Sequence, residues 1–393
     1  MTTNTTRINS IGAQRWIYNL IVSSAFAINT NCQYNDFVRH ISYFGSFNWF
    51  LVSLGSATIL LTEVNISIGM ILELLVYIII GLVQSLIILM LLIQKKKITF
   101  TYTSIQNTFI KWSLIRKVDP NISYNRNTKV IYIVIITYLI VIATFFTGPL
   151  LALKYDQDNL PIDHHSHWIV YWPKVFNVGD SYINYSILYI LQVISSFYSS
   201  FSTFLYNLYL VIYLSEIKHQ FKLLEIGLQR TFHLQENENF QEYFIGCVCQ
   251  HQEILKSLNE FKLYFKYILF GEIICAQFLF SIIIFCMIKV DASTGFVLKC
   301  SAVLSYWLIL YIFKCDYGDD IISVHKNIAF NLYSEEYYNL SNENKKMVII
   351  MLQRTQKDLL LNSAIISNQV ASRSTLLDMF KFVYKCLNFL LKF

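Results

Sequence analysis

The 393-residue chain is 55% hydrophobic and 14% charged, with 31 Lys and Arg against 25 Asp and Glu, a net charge of +6. Soluble domains carry roughly 25% charged residues, and this much apolar surface cannot be hidden in a single water-soluble core. Disorder, a collagen-like fibre, a disulfide scaffold and a nucleic-acid reader are disfavoured on the same figures, which leaves a polytopic membrane protein.

A membrane-spanning helix needs about 20 apolar residues. Residues 1–40 place Arg7 and Arg15 in a polar, mixed stretch rather than in the pattern of a signal peptide. Uncharged runs then follow at Ile41 to Thr62, Leu74 to Gln94 and Val130 to Leu153, with a longer one from Ser181 to Ser215. Leu263 to Ile288 carries Lys266 and Glu272 near its start, and Gly295 to Phe313 carries Lys299. The last run, Ser374 to Phe393, is atypical because it holds Lys381, Lys385 and Lys392. Seven crossings are expected.

Lys and Arg set the expected orientation. They concentrate in 1–40, 95–129, 216–262 and 314–370, while Lys154, Lys174, Lys289 and Lys299 are the exceptions. Lys95-Lys96-Lys97 directly after the second run is the clearest signal. The N-terminus is therefore expected in the cytosol and the C-terminus outside. Among the glycosylation sequons, Asn65 and Asn184 then fall outside, and Asn4, Asn121 and Asn339 inside. This orientation is opposite to that of G-protein-coupled receptors, and neither Asp-Arg-Tyr nor Asn-Pro-x-x-Tyr occurs where that class needs it.

Segment 216–262 lacks proline and repeats apolar residues at helical spacing, as in Phe221, Leu224, Leu228 and Ile254, Leu258, Phe261. Helices four and five should thus continue into the cytosol as an antiparallel pair. Val348, Met351, Leu352 and Leu359 form a similar stripe ahead of the last crossing. Such extensions either hold subunits together or pack only within the chain.

Chemistry for catalysis is not visible. His164, His165 and His167 could bind a metal, but no carboxylate or thiol spacing supports a metal centre. The eight cysteines lie mostly in or beside apolar runs, where Cys behaves as a small apolar residue. No phosphate-binding glycine loop or hydrolase elbow is present. Neither an enzyme nor a cofactor is expected.

Several blocks in the second half occur in a telling order. They are Tyr171-Trp172-Pro173, Tyr185 to Gln192, His251-Gln252-Glu253-Ile254-Leu255, Cys315-Asp316-Tyr317-Gly318-Asp319, then Tyr333, Tyr337-Tyr338, Arg354-Thr355-Gln356-Lys357 and Leu377 to Phe380. Over roughly residues 165–393 the chain resembles the insect odorant receptors, a family of ligand-gated cation channels. Tyr337 stands where Trp is usual and Asp358 where Pro often follows Gln-Lys.

The resemblance implies an all-α membrane protein whose 314–373 segment and 216–262 extensions anchor subunits in a tetramer. Residues 374–393 would line a shared pore, and an odorant pocket would open within 41–313 among helices two, three, four and six. Lacking the long cytosolic insertion of the shared co-receptor, the chain reads as a tuning subunit in a heterotetramer at the plasma membrane of a sensory neuron. A gustatory-receptor-like homotetramer and a metabotropic seven-helix receptor are the alternatives; the end Leu390-Leu391-Lys392-Phe393 differs from the gustatory pattern.

A volatile ligand is small and mostly apolar, so its pocket should be aromatic with a few polar groups. The expected lining is Leu74, Tyr77 and Ile78 from helix two, and Ile142, Phe145 and Phe146 from helix three. Helix four would add Tyr185, Tyr189, Gln192, Val193 and Ser196, and helix six Leu304, Ser305, Trp307 and Leu308. Glu73 either joins them or faces the outer surface. In the last helix, Lys381 and Lys385 either face a water-filled pore or snorkel at its cytosolic mouth. Leu387, Leu390, Leu391 and Phe393 are the candidates for a hydrophobic gate.

Overall fold

The computed structural model describes residues 34–62, 68–117, 121–155, 182–233, 240–289, 294–334, 337–357, 359 and 372–392. The segment 1–33, the Tyr171-Trp172-Pro173 stretch, His164, His165, His167, Cys32, Asn65 and Phe393 lie outside them, as do the side chains of Glu73, Tyr185, Asn121, Asn184 and Asn339. Among the described residues every regular element is helical: α1 Tyr34–Thr62, α2 Ile68–Ile115, α3 Asn121–Tyr155, α4 Tyr182–His233, α5 Phe240–Lys289, α6 Thr294–Ser334, a 3₁₀ turn Tyr337–Asn339, α7 Asn342–Thr355 and α8 Arg373–Leu390. Stretches at 129–147, within 240–288 and within 298–333 are long and apolar enough to cross a bilayer.

Most helices outrun their apolar parts. The Lys95-Lys96-Lys97 run marks a chemical boundary in α2 but not its end, because Lys is a good helix former and no proline or glycine follows until Pro120. The helix stops at Ile115, and Lys117 then takes a left-handed φ of 50°. α4 and α5 likewise continue through 216–233 and 240–262. Phe221, Leu224, Leu228, Ile254, Leu258 and Phe261, picked out by their spacing, are all buried there. An aromatic column runs through this pair: Tyr213 stacks on Phe261 at 4.5 Å, and Phe261 on Phe265 at 4.6 Å.

α4 and α6 form the middle of the bundle. α1 packs along α2 and α4, α3 lies against α6, and α5 lies between α2 and α8. One close approach sets the α1–α2 distance. A Cβ at Gly81 would meet the Trp49 carbonyl at 2.6 Å and Ser53 Oγ at 2.1 Å, so only glycine lets the two backbones touch there. Across that contact Ser53 Oγ donates to the Ile78 carbonyl at 3.2 Å.

α8 starts from a fixed point. Ser372 Oγ accepts the Thr375 amide at 3.3 Å, an N-cap of the expected chemistry. The Arg373 amide and guanidinium donate to Asp319 at 2.9 Å and to Asp316 at 2.8 Å, within the Cys315 to Asp319 block of α6. Thr375 is buried, and Met379 and Val383 are buried against Ile273 and Phe280 of α5 and Tyr311 and Cys315 of α6.

Candidate functional site

A partly open cavity of about 110 Å³ is bounded by α1, α2, α3, α4 and α6. It is of the order of the ~150 Å³ apolar cavity that can hold a benzene ring. Val52, Ile80, Val141, Ile142, Phe145, Phe146, Val303 and Trp307 give it an apolar wall. Asn48, Trp49, Gln84, Tyr138, Ser196, Ser200, Thr203 and Tyr306 supply the polar edges.

Those polar groups fall into two sets. Tyr138 OH and Ser200 Oγ pair at 3.2 Å, and Thr203 Oγ1 donates to Gln84 Oε1 at 3.1 Å. By contrast Trp49 Nε1, Ser196 Oγ and Tyr306 OH are buried with no hydrogen-bond partner. Buried donors are ordinarily satisfied, and an unmade bond costs about 1–3 kcal/mol. All three belong to residues that wall one apolar space.

Of the residues expected to line a pocket, the cavity brings together Ile142, Phe145, Phe146, Ser196 and Trp307. Leu74, Tyr77, Tyr189 and Val193 form an adjoining apolar cluster behind Phe145 and Phe146. There the Tyr189 hydroxyl donates to the Phe146 carbonyl at 2.8 Å. Gln192 is buried away from the cavity, and Ile78 is half-buried against α1. Leu304 and Leu308 pack toward α8, while Ser305 is exposed and donates to the Ser301 carbonyl at 2.7 Å. Sequence reasoning missed α1 altogether, together with Tyr138 and Tyr306. Tyr138 sits one helical turn before Ile142, so periodicity held a signal for it; for Tyr306 and Trp49 it held none.

Beneath the cavity a polar chain crosses four helices. Thr203, which lines it, also accepts at its carbonyl from Asn207 Nδ2 at 3.0 Å. Asn207 Oδ1 in turn accepts from Lys314 Nζ at 2.7 Å, and Lys314 pairs with Glu272 at 2.8 Å. Both charged side chains are buried, at 7% and 5% exposure, so each is tolerable only because of the other. The chain thus joins Gln84 of α2 to α4, α6 and α5. Next along α6, Tyr311 and Cys315 touch Met379 and Val383 of α8.

In α8 itself Lys381 and Lys385 are exposed, and Lys381 pairs with Asp378 at 3.0 Å. Leu387, Leu390 and Leu391 are half-buried and lie on other sides of the helix from these lysines.

The family model described as "7tm Odorant receptor" matches residues 67–370. Among solved structures the chain is similar to the insect olfactory receptor OR5 from Machilis hrabei in complex with eugenol, with 13% identity, a TM-score of 0.79, and coverage of 97% of this chain and 99% of that one. The structure of the same receptor described without eugenol gives a TM-score of 0.78 at 13% identity, covering 97% and 98%. At this identity the likeness is one of fold. None of the curated proteins matches the sequence.

Proposed function

Given that the chain belongs to the 7tm Odorant receptor family, we propose that it is a tuning subunit that binds a small, mostly apolar odorant in the five-helix cavity. On this reading the bound odorant gates a non-selective cation channel assembled with the odorant co-receptor in the plasma membrane of a sensory neuron dendrite. The observation that carries the reading is the cavity itself, an apolar space with three unpartnered donors. A volatile bearing one carbonyl, ether or hydroxyl oxygen accepts from one or two of those donors and fills the remainder with carbon. A hydrocarbon fills the space but leaves every donor unmade.

In the same proposal the N-terminus is cytosolic, the α4–α5 extension and 314–373 anchor neighbouring subunits, and α8 lines the pore. Occupancy is communicated downward along α6, whose Tyr306 and Trp307 wall the cavity while Tyr311 and Cys315 support α8. The odorant shifts a pre-existing equilibrium toward the open arrangement by its higher affinity for that state.

The test is whole-cell current from cells expressing this chain with and without an odorant co-receptor, under a volatile panel and with G-protein signalling blocked. Rapid odorant-evoked cation current confined to the co-expressing cells is the expected result. Current from the chain alone would indicate a homomeric channel of the gustatory type. Responses abolished by the G-protein block would overturn the channel reading.

A further inference from the structure

We propose that Lys381 and Lys385 set the divalent-to-monovalent preference of the ion path, with Lys385 the stronger of the two. The inference rests on α8 lining the pore. Ser374, Asp378, Lys381, Lys385 and Asn388 are all exposed and recur every three or four residues, and Lys392 continues the series just past the helix. At about 100° per residue they fall within an arc of roughly 80°. Thr375, Met379 and Val383, on another side, are buried, the last two against α5 and α6. Exposed apolar residues flank the stripe, with Leu377 and Tyr384 to one side and Phe389 to the other.

Such a helix has one face for its own chain, two flanks for neighbours and one polar line. Its 18 residues rise about 27 Å, close to the hydrocarbon thickness of a bilayer. Lys381 lies about 12 Å along the axis from Arg373, further than a four-carbon stem reaches, so it cannot snorkel to the start of the helix. An ammonium at that depth is costly in lipid and tolerable in a water-filled path. The stripe therefore faces the ions.

The two lysines are not equivalent. Lys381 Nζ lies 3.0 Å from Asp378 Oδ1, so its charge is partly cancelled. Lys385 has no ion-pair partner among the described residues. A calcium ion carries twice the charge of sodium and feels twice the repulsion. A single ammonium about 6 Å from the path, in a water-like dielectric, lowers calcium relative to sodium about threefold.

The experiment measures reversal potentials of odorant-evoked current in calcium against sodium solutions, with the co-receptor present. Lys385→Gln should raise the calcium-to-sodium permeability ratio about threefold and Lys381→Gln by less, while Asp378→Asn should lower it. Lys385→Arg should leave the wild-type ratio. If a glutamine variant does not reach the surface, Lys385→Cys labelled with a cationic thiol reagent should restore the low ratio and an anionic one should raise it, with the labelled wild type controlling for Cys386. Normal current with ratios unmoved by every variant would overturn the inference alone. A wild-type chain at the surface that passes no current with the co-receptor would overturn the channel reading and the inference with it.

Discussion

The cavity and the α4–α5–α6 extension are built from the same residue types but treat their polar groups in opposite ways. Around the cavity, Trp49, Ser196 and Tyr306 keep donors without partners. In the extension nearly every buried polar group is engaged. Arg116 Nε donates to Gln250 Oε1 at 3.0 Å and Nη2 to Cys247 Sγ at 3.1 Å, while Gln220 Nε2 donates to the Ile105 carbonyl at 2.7 Å. Trp112 Nε1 donates to Glu253 at 2.7 Å, Tyr213 OH to the Ser257 carbonyl at 3.0 Å, and Lys218 pairs with Asp320. Glu216 Oε2 is one exception, and burial pushes that carboxyl up to about 7. One region stores unmade bonds for a visitor, whereas the other has made its bonds and holds a shape. Substitutions should therefore separate response from stability according to where they fall.

The sharpest way to break the contrast is at the joint between the regions. Lys314→Met leaves Glu272 buried without its cation and should cost about 3–5 kcal/mol, read as lost surface expression and a lower melting temperature in detergent. Adding Glu272→Leu should return most of that loss, since an apolar pair of similar volume is often neutral. If the single and double variants are equally unstable, the ion pair is not what joins the helices. Next in size is Gly81→Ala. Its Cβ would push α1 off α2 at the Trp49 carbonyl and should cost about 1–3 kcal/mol, with the cavity deformed and odorant sensitivity reduced.

A third test addresses the extension by pH. His251 Nε2 and His325 Nε2 lie 3.4 Å apart with their rings stacked, and burial pushes both down to about 4; the His325 ring and Arg354 also disfavour charge on His251, and Lys262 on His325. The folded pair stays neutral while the unfolded chain takes up protons below about 6.5. Stability is therefore full above that value and declines as the pH falls toward 4, by about 1.4 kcal/mol per unit for each histidine. Melting curves at pH 7.5 and 5.5 should show the fall, and His325→Phe should flatten it.

The smallest effects belong to the cavity. Tyr306→Phe and Ser196→Ala each remove one unpartnered hydroxyl. Each should leave the melting temperature unchanged or slightly raised, yet weaken the response to an oxygen-bearing odorant about fivefold, the worth of roughly 1 kcal/mol of hydrogen bond. A hydrocarbon of the same shape should lose nothing. Equal losses for both ligands would mean that these donors do not read the oxygen.

The two regions also differ in how far the sequence reveals them. Phe221, Leu224, Leu228, Ile254, Leu258 and Phe261 disclose the extension because periodicity within one helix decides which side is buried. α3 disclosed Ile142, Phe145 and Phe146 for the same reason. The place of Trp49 depends on a contact between helices that only Gly81 permits, and no pattern inside α1 encodes it. α6 has two working sides, so Leu304 and Leu308 turn to α8 while Tyr306 turns to the cavity. Local spacing cannot assign those sides without knowing which neighbours occupy them.

Gly227 carries a consequence of a different kind. A Cβ there would fall 1.8 Å from the Arg116 guanidinium, which runs across the glycine to reach Gln250 and Cys247. The two positions are 111 residues apart in sequence number, yet the guanidinium and the glycine share one space. A larger residue at 227 makes the guanidinium shift and give up its bonds to Gln250 and Cys247, or is matched by a shorter residue at 116. Arg116 and Gly227 should thus tend to change together among descendants of this chain.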